Sequence, residues 1–183
     1  MLSVLGEYIS MRVIVLLLLV TQSAFGFEFE GGTIEIPSNF NGPIYRHMDG
    51  QGTVYGFKKT HKDGKTGTLL QLTVFEPGQK FPELSRQELK EGASNYLLQL
   101  LSGVERRRKM FVKSNVEFVE ISSVPTAKIT WTGSEYSRKM EGVMYCYIHN
   151  SKVIGLHTQD FIEYKGKYLS QAVQAFENIK INR

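Results

Sequence analysis

The sequence contains very little cysteine, and this scarcity limits the folds and chemistries open to it. Cys146 is the single cysteine among 183 residues, so no disulfide can form within the chain and a disulfide-stapled framework is excluded. It lies in the apolar segment 143–148, where cysteine usually serves as a small buried side chain. A nucleophilic cysteine would need exposure and an activating base. We therefore predict that Cys146 belongs to the core.

Recognisable catalytic and metal-binding motifs are also missing. The chain has no C-x-x-C, no G-x-S-x-G and no paired metal-ligand spacing,. Gly64-Lys65-Thr66 matches the end of a phosphate-binding loop, but Lys59 stands where the loop requires its first glycine,. A net charge of +4 is far from the signature of a nucleic-acid-binding protein,. We therefore expect no cofactor, no metal and no nucleic-acid partner.

The start of the chain also has no hydrophobic run long enough to span a membrane. Val13–Val20 is an uncharged run of eight residues after Arg12, whereas a membrane-spanning helix needs about 20. Ala24-Phe25-Gly26 then places small residues where a signal peptidase cuts,. We predict a cleaved secretory signal at residues 1–26 and a single domain at 27–183, periplasmic or secreted in a bacterial source. An uncleaved anchor, and Met11 as the true start, remain open.

One stretch has clear helical periodicity. Residues 85–109 begin with Ser85 and Glu88, which together predict a capping box at the N-terminus of a helix. Apolar residues then recur at steps of three and four, which predicts one apolar stripe; they are Leu89, Ala93, Tyr96, Leu97, Leu100, Leu101 and Val104. Gly103 weakens the final turns. We expect this helix to pack on a sheet.

The flanking segments are typical of strands. Alternating apolar and polar residues and short turns predict strands at 33–36, 44–48, 53–59 and 68–76 before the helix, and at 115–122, 125–133, 139–149 and 152–160 after it,. A second helix is predicted at 167–178, followed by a short strand at 179–181. The fold class expected is α+β, an antiparallel sheet covered by a long central helix and a C-terminal helix.

This order of elements resembles the PsbP-like α/β/α sandwich family, which includes small bacterial envelope proteins of unassigned role. The resemblance is carried by the segments 125–133, 142–147 and 153–158 and by the helix ending at Phe176. It implies a non-enzymatic scaffolding or binding role. No functional residues of the family match positions in this chain.

The densest basic cluster follows the long helix and comprises Arg106, Arg107, Arg108 and Lys109. Four consecutive side chains at helical spacing cannot all point into a core, so at least two are expected to be exposed. We predict that this cluster binds an anionic membrane surface or an envelope protein partner, and that the protein is a non-catalytic accessory factor. The alternative is an ordinary solvated helix end.

A second functional hypothesis is a hydrolase of cell-envelope material. His157 and Asp160 lie three residues apart near the end of a predicted strand. A carboxylate can orient an imidazole that acts as a general base, provided that the two are within hydrogen-bonding distance. No third catalytic partner is visible in the sequence, so this pair is the weaker hypothesis.

Overall fold

The fold is seen in a computed structural model that describes residues 25–48, 51–78, 81–164 and 166–182. Its strands are β1 (Phe25–Phe29), β2 (Gly32–Ile36), β3 (Asn41–Met48), β4 (Gly52–Thr60), β5 (Gly67–Phe75), β6 (Lys109–Lys113), β7 (Glu117–Ile121), β8 (Val124–Glu135), β9 (Arg138–His149) and β10 (Lys152–Phe161). Its α-helices are α1 (Arg86–Glu105) and α2 (Lys167–Glu177), and a 3₁₀ helix covers Ile162–Tyr164.

Eight of the strands form one antiparallel sheet. Its order is β3-β4-β5-β10-β9-β8-β6, and β7 pairs with the first half of β8 while β6 pairs with the second half. Strands β1 and β2 form a separate hairpin. The expected α+β class with an antiparallel sheet and two covering helices is therefore confirmed.

The long helix forms as its sequence predicts. Ser85 is the N-cap: its Oγ accepts a hydrogen bond from the Glu88 amide, and the Glu88 carboxylate accepts one from the Ser85 amide. Both are otherwise unpaired donors of the first turn, so the box satisfies them reciprocally. The helix continues past Gly103 and ends at Glu105.

The sheet separates two hydrophobic cores. On one face, Leu97 and Leu101 of α1 pack with Trp131 and Met144 of the sheet. On the other face, Phe176 of α2 and the β1–β2 hairpin cover a second set of apolar residues. The apolar residues of β9 supply both cores, since alternate side chains of a strand point to opposite faces. Cys146 is completely buried in the first core, which confirms the predicted core role.

Some elements differ from the sequence prediction. Strands β1 and β6 were not expected, and the predicted terminal strand at 179–181 consists of a single bridge between Thr33 and Lys180. The predicted signal segment lies outside the described residues except for Phe25 and Gly26, which begin β1. Within the described ranges, the helices are all too short or too polar to cross a bilayer.

Candidate functional site

The predicted basic cluster lies just beyond the end of α1. Arg106 is the C-cap of the helix, Arg107 lies in the turn that follows, and Lys109 begins strand β6. All three side chains are exposed. Because the helix has already ended, the directions of these side chains are set by the turn and by β6 rather than by helical periodicity.

Arg108 differs from its neighbours because it points into the structure. Its side chain is only 8% exposed. The two Nη atoms donate hydrogen bonds of 3.1 Å to Glu135 Oε1 and to Gln159 Oε1, and the guanidinium carbon lies 5.9 Å from the centre of the Trp131 ring. Arg108 therefore anchors the turn to the sheet, and the exposed part of the cluster is Arg106, Arg107 and Lys109.

Further cations lie at the same end of the sheet. Thr60 pairs with Gly67, and Lys109 pairs with Ser134 near the β8–β9 turn, so the β4–β5 loop, the β8–β9 turn and the start of β6 share one end. The strand β10 also finishes there, next to the start of β5. The exposed cations of the described chain at this end, which we call the basic end, are Lys62, Lys65, Arg106, Arg107, Lys109, Lys139 and Lys167.

Few exposed carboxylates offset this charge. In the described ranges, the exposed acids of the basic end are Asp63, Glu105 and Glu163. Glu163 is paired with Arg138, and Asp63 accepts hydrogen bonds from Thr66 inside its own loop, which hold its pKa well below the ordinary value. The excess of exposed cations gives this end a positive potential that favours anionic partners.

The two most exposed large apolar side chains of the described residues also lie at the basic end. Met110, next to Lys109, is 84% exposed, and Tyr136, in the β8–β9 turn, is 89% exposed. Both residues have positive φ angles, of 50° and 49°. Neither residue is predicted as a site from the sequence: Met110 begins the short apolar run Met110-Phe111-Val112, which is typical of a core segment, and Tyr136 is a single apolar residue in a polar turn,.

The predicted pairing of His157 with Asp160 is wrong. Alternate side chains of a strand point to opposite faces, so residues three apart on β10 lie on different sides of the sheet. His157 packs near Trp131 in the α1 core, with 5.9 Å between the ring centres. The Asp160 carboxylate instead accepts hydrogen bonds of 2.7 Å from Thr68 Oγ1 and from the phenylalanine amide that follows it in the chain.

Asp160 has a different histidine partner, His61. The distance from His61 Nε2 to Asp160 Oδ1 is 2.7 Å, and both side chains are buried. The imidazole stacks on Tyr164 with ring centres 3.5 Å apart. These contacts join the β4–β5 loop to the end of β10. Because both side chains are buried, a substrate has no direct access to the imidazole. The two residues are 99 positions apart, so no local motif could have revealed the pair.

His157 is held in its neutral form. Burial, and secondarily the charge of Arg108, lower its pKa from 6.5 to about 4. Its Nε2 and the Nε1 of Trp131 have no hydrogen-bond partner in the part of the chain that the structure describes. The neighbouring guanidinium and the surrounding apolar side chains both disfavour the imidazolium.

Other reactive chemistry finds little support among the side chains described. Burial raises the pKa of the Cys146 thiol to about 12, so the thiolate is strongly disfavoured,. In residues 25–48, 51–78, 81–164 and 166–182, no group of three acidic, histidine or cysteine side chains is placed to hold a metal ion. An apolar cleft of about 270 Å³ lies beside α1, between Tyr96 and Met48, away from the basic end.

Comparison with known proteins identifies the fold. No protein-family model matches this sequence, and no curated protein sequence is significantly similar to it. The structure is similar to that of LpqN from Mycobacterium tuberculosis, described as involved in cell envelope biogenesis, with a TM-score of 0.54, 10% identity, and coverage of 86% of this chain and 91% of that chain. It is also similar to cyanobacterial PsbP (CyanoP) from Synechocystis sp. PCC 6803, with a TM-score of 0.60, 9% identity, and coverage of 90% and 95%.

These likenesses extend over most of each chain, although the sequences have diverged almost completely. At such low identity they establish the architecture alone, because one fold serves many functions. They agree with the resemblance drawn from the strand and helix order. The chain has the PsbP-like fold.

Proposed function

We propose that this protein is a non-catalytic binding factor of the cell envelope whose basic end contacts an anionic surface. The observation that carries the proposal is the placement of Arg106, Arg107 and Lys109. They are exposed at the end of the sheet where Lys62, Lys65, Lys139 and Lys167 are also exposed. Arg108 holds this turn in place through Glu135.

The envelope location is supported by two independent observations. LpqN, which shares the fold, is described as involved in cell envelope biogenesis. The segment before the domain has the charge, apolar run and small residues of a secretory signal,. Intact-mass measurement of exported protein tests the proposal: the expected product lacks residues 13–20, and a product that retains them contradicts cleavage.

The energetics favour a weak, salt-sensitive contact. Each basic residue near an anionic membrane contributes roughly 1 kcal/mol, and the attraction falls off within a Debye length, about 8 Å at physiological ionic strength. The three exposed cations of the cluster would then contribute about 3 kcal/mol at most. The other exposed cations of the basic end add to the same field.

Vesicle co-sedimentation tests the proposal. The purified protein is compared with Arg106→Glu/Arg107→Glu/Lys109→Glu on phosphatidylcholine vesicles, with and without phosphatidylglycerol, at low and high salt. We expect the protein to sediment with anionic vesicles at low salt and the variant to remain in solution. Arg108 is left unchanged because its loss would disturb the fold.

A charge-matched control separates position from net charge. Arg86→Glu/Lys90→Glu/Lys180→Glu also reverses three cations, but these lie on α1 near its start and at the end of the chain, away from the basic end. We expect this variant to sediment like the parent protein. Equal loss in both variants, or no sedimentation of the parent, would contradict the proposal.

A further inference from the structure

The basic end has exposed apolar side chains in addition to its positive charge. Met110 and Tyr136 are the most exposed large apolar side chains in the described part of the chain. Both residues adopt left-handed backbone conformations, with φ angles of 50° and 49°. Bulky residues rarely adopt this conformation, and such outliers cluster at binding sites.

Met110 protrudes because it lies in a β-bulge. Lys109 pairs with Ser134 and Val112 pairs with Thr132, so strand β6 has one more residue in this interval than β8. An extra residue of this kind is left unpaired and redirects the side chains beside it. Met110 is therefore turned out to solvent between Lys109 and the rest of the edge strand.

Tyr136 protrudes because it forms the tip of a hairpin. Glu135 pairs with Arg138 across a two-residue turn, and the φ angles of Tyr136 and Ser137 are 49° and 63°. These values are typical of a type I′ turn, which favours asparagine and glycine. The other two turns of this kind in the described ranges have small polar residues, Ser122–Ser123 and Asn150–Ser151. An exposed tyrosine is the exception.

The two protrusions lie close together. Ser134 Oγ donates a hydrogen bond of 3.2 Å to the Lys109 carbonyl, which joins the strands beside both residues. Along β6, Met110 is the residue after Lys109. Along β8 and into its turn, Tyr136 is two residues after Ser134. Because the strands are antiparallel, Met110 and Tyr136 lie on opposite sides of this hydrogen bond. At about 3.4 Å per residue the separation along the strands is roughly 10 Å. The contact between Arg108 and Glu135 fixes the same junction.

We propose that Met110 and Tyr136 insert into an anionic lipid bilayer and that the surrounding cations hold the phosphate groups. This inference rests on the proposed function and specifies its partner as a bilayer. Tyrosine is enriched at membrane interfaces, where its ring is buried and its hydroxyl stays hydrated. Lysine and arginine next to an inserted apolar residue extend their charges to the headgroups.

The arrangement suits a bilayer better than a folded acidic protein. Met110 and Tyr136 lie on different elements, about 10 Å apart along the strands, with exposed cations next to them; Val112 of the same edge strand is also 65% exposed. A fluid surface accepts separate protrusions, whereas the core of a protein interface is a continuous apolar area with few charges. A bulge and lysines on an edge strand also prevent that strand from pairing with another chain, and this role would explain the exposure of Met110. It does not explain the exposure of Tyr136, which lies in a turn.

Vesicle partition of a paired variant tests the proposal. Met110→Ser/Tyr136→Ser removes both apolar side chains without changing the charge, and serine already occupies left-handed positions in this chain. The control Ile44→Ser/Tyr45→Ser removes two exposed apolar residues, 72% and 59% exposed, from strand β3 at the opposite edge of the sheet. Both are compared with the parent on phosphatidylglycerol-containing vesicles at low and high salt.

At high salt, we expect Met110→Ser/Tyr136→Ser to lower the partition constant at least about tenfold, which corresponds to about 1.4 kcal/mol. We expect the control variant to have the same partition constant as the parent. A second readout is fluorescence quenching by lipids brominated on their acyl chains. The sole tryptophan, Trp131, is buried, so the parent should not be quenched, whereas Tyr136→Trp should be.

The outcomes distinguish this inference from the proposed function. If Met110→Ser/Tyr136→Ser partitions like the parent and Tyr136→Trp is not quenched, insertion is wrong, even though loss of binding by the charge-reversal variant would still support an electrostatic anionic contact. That result would limit the contact to the phosphate groups at the bilayer surface or to an acidic protein face. If the parent fails to bind anionic vesicles at low salt, both proposals are wrong.

Discussion

Arg108 donates a hydrogen bond from Nη1 to Glu135 Oε1 over 3.1 Å, and this contact joins the end of α1 to the β8–β9 hairpin. It gives Arg108 a structural role that its exposed neighbours do not share. The basic cluster therefore consists of one anchoring residue and three exposed residues. Each role predicts a different response to mutation.

Arg108→Ala should destabilise the fold by about 2 kcal/mol, because it leaves Glu135 and Gln159 without their donor and uncovers Trp131. Arg107→Ala should change the free energy of unfolding by less than about 0.5 kcal/mol, since that side chain is exposed. Urea denaturation at neutral pH measures both. Equal stability of the two variants would show that the contacts of Arg108 contribute nothing.

Leu97→Asp should unfold the domain. Leu97 is completely buried between α1 and the sheet, and the substitution both removes apolar packing worth about 2–5 kcal/mol and buries an unpaired charge. Leu98→Asp, one residue further along the same helix but exposed, should fold normally. Circular dichroism during thermal unfolding distinguishes them, and a near-parental melting temperature for Leu97→Asp would contradict the placement of α1.

The stability should depend on pH through His157. Burial lowers its folded-state pKa from 6.5 to about 4, so between these values the unfolded chain binds more protons than the folded one. This stabilisation is fully present above about pH 6.5 and is lost as the pH falls toward 4, a change of about 3 kcal/mol.

The measurement is urea denaturation between neutral pH and about pH 4.5, for the parent protein and for His157→Gln. Carboxylates titrate in both proteins, so the difference between their slopes isolates the imidazole. We expect a shallower loss of stability in His157→Gln. Parallel curves would mean that His157 is accessible to protons in the folded state.

Gly142→Ala should disturb the tryptophan beside Arg108. A Cβ at residue 142 would lie 2.4 Å from Trp131 Cε2, too close for contact, so the indole must move. Such overpacking costs typically about 1–3 kcal/mol. Fluorescence is a direct readout because Trp131 is the only tryptophan, and we expect its emission to shift to longer wavelength.

Gly103→Ala provides the opposite control. Its Cβ would meet no atom within 4 Å, and the residue lies inside α1. The substitution should therefore stabilise the protein by about 0.5–1 kcal/mol, through the higher helix propensity of alanine. Destabilisation by Gly103→Ala, or an unchanged spectrum for Gly142→Ala, would contradict the packing described.

Local signals in the sequence predicted the elements that depend mainly on nearby residues. Ser85 and Glu88 specify the start of α1 within a single turn, and the apolar repeat specifies which face of the helix is buried. Alternation likewise located β4, β5 and the strands from β7 to β10. Together these patterns were sufficient to indicate the PsbP-like order of elements.

Strands β1 and β6 escaped this reasoning for a physical reason. Strand β1 begins at Phe25 and Gly26, inside the segment assigned to the signal, so the sequence pattern there was read as a cleavage site. The first residue of β6 belongs to the basic cluster, so the sequence pattern extends the helical segment over it. Its partner β8 begins eleven residues after β6 ends.

By itself, the sequence determined the secondary structure with strong periodicity, the burial of Cys146 and the presence of a concentrated positive charge. Only the tertiary structure decided that Arg108 faces inward, that Asp160 pairs with His61 rather than His157, and that Met110 and Tyr136 share one end of the sheet. These are contacts between segments distant in the chain. They depend on strand order and register, which no local pattern encodes.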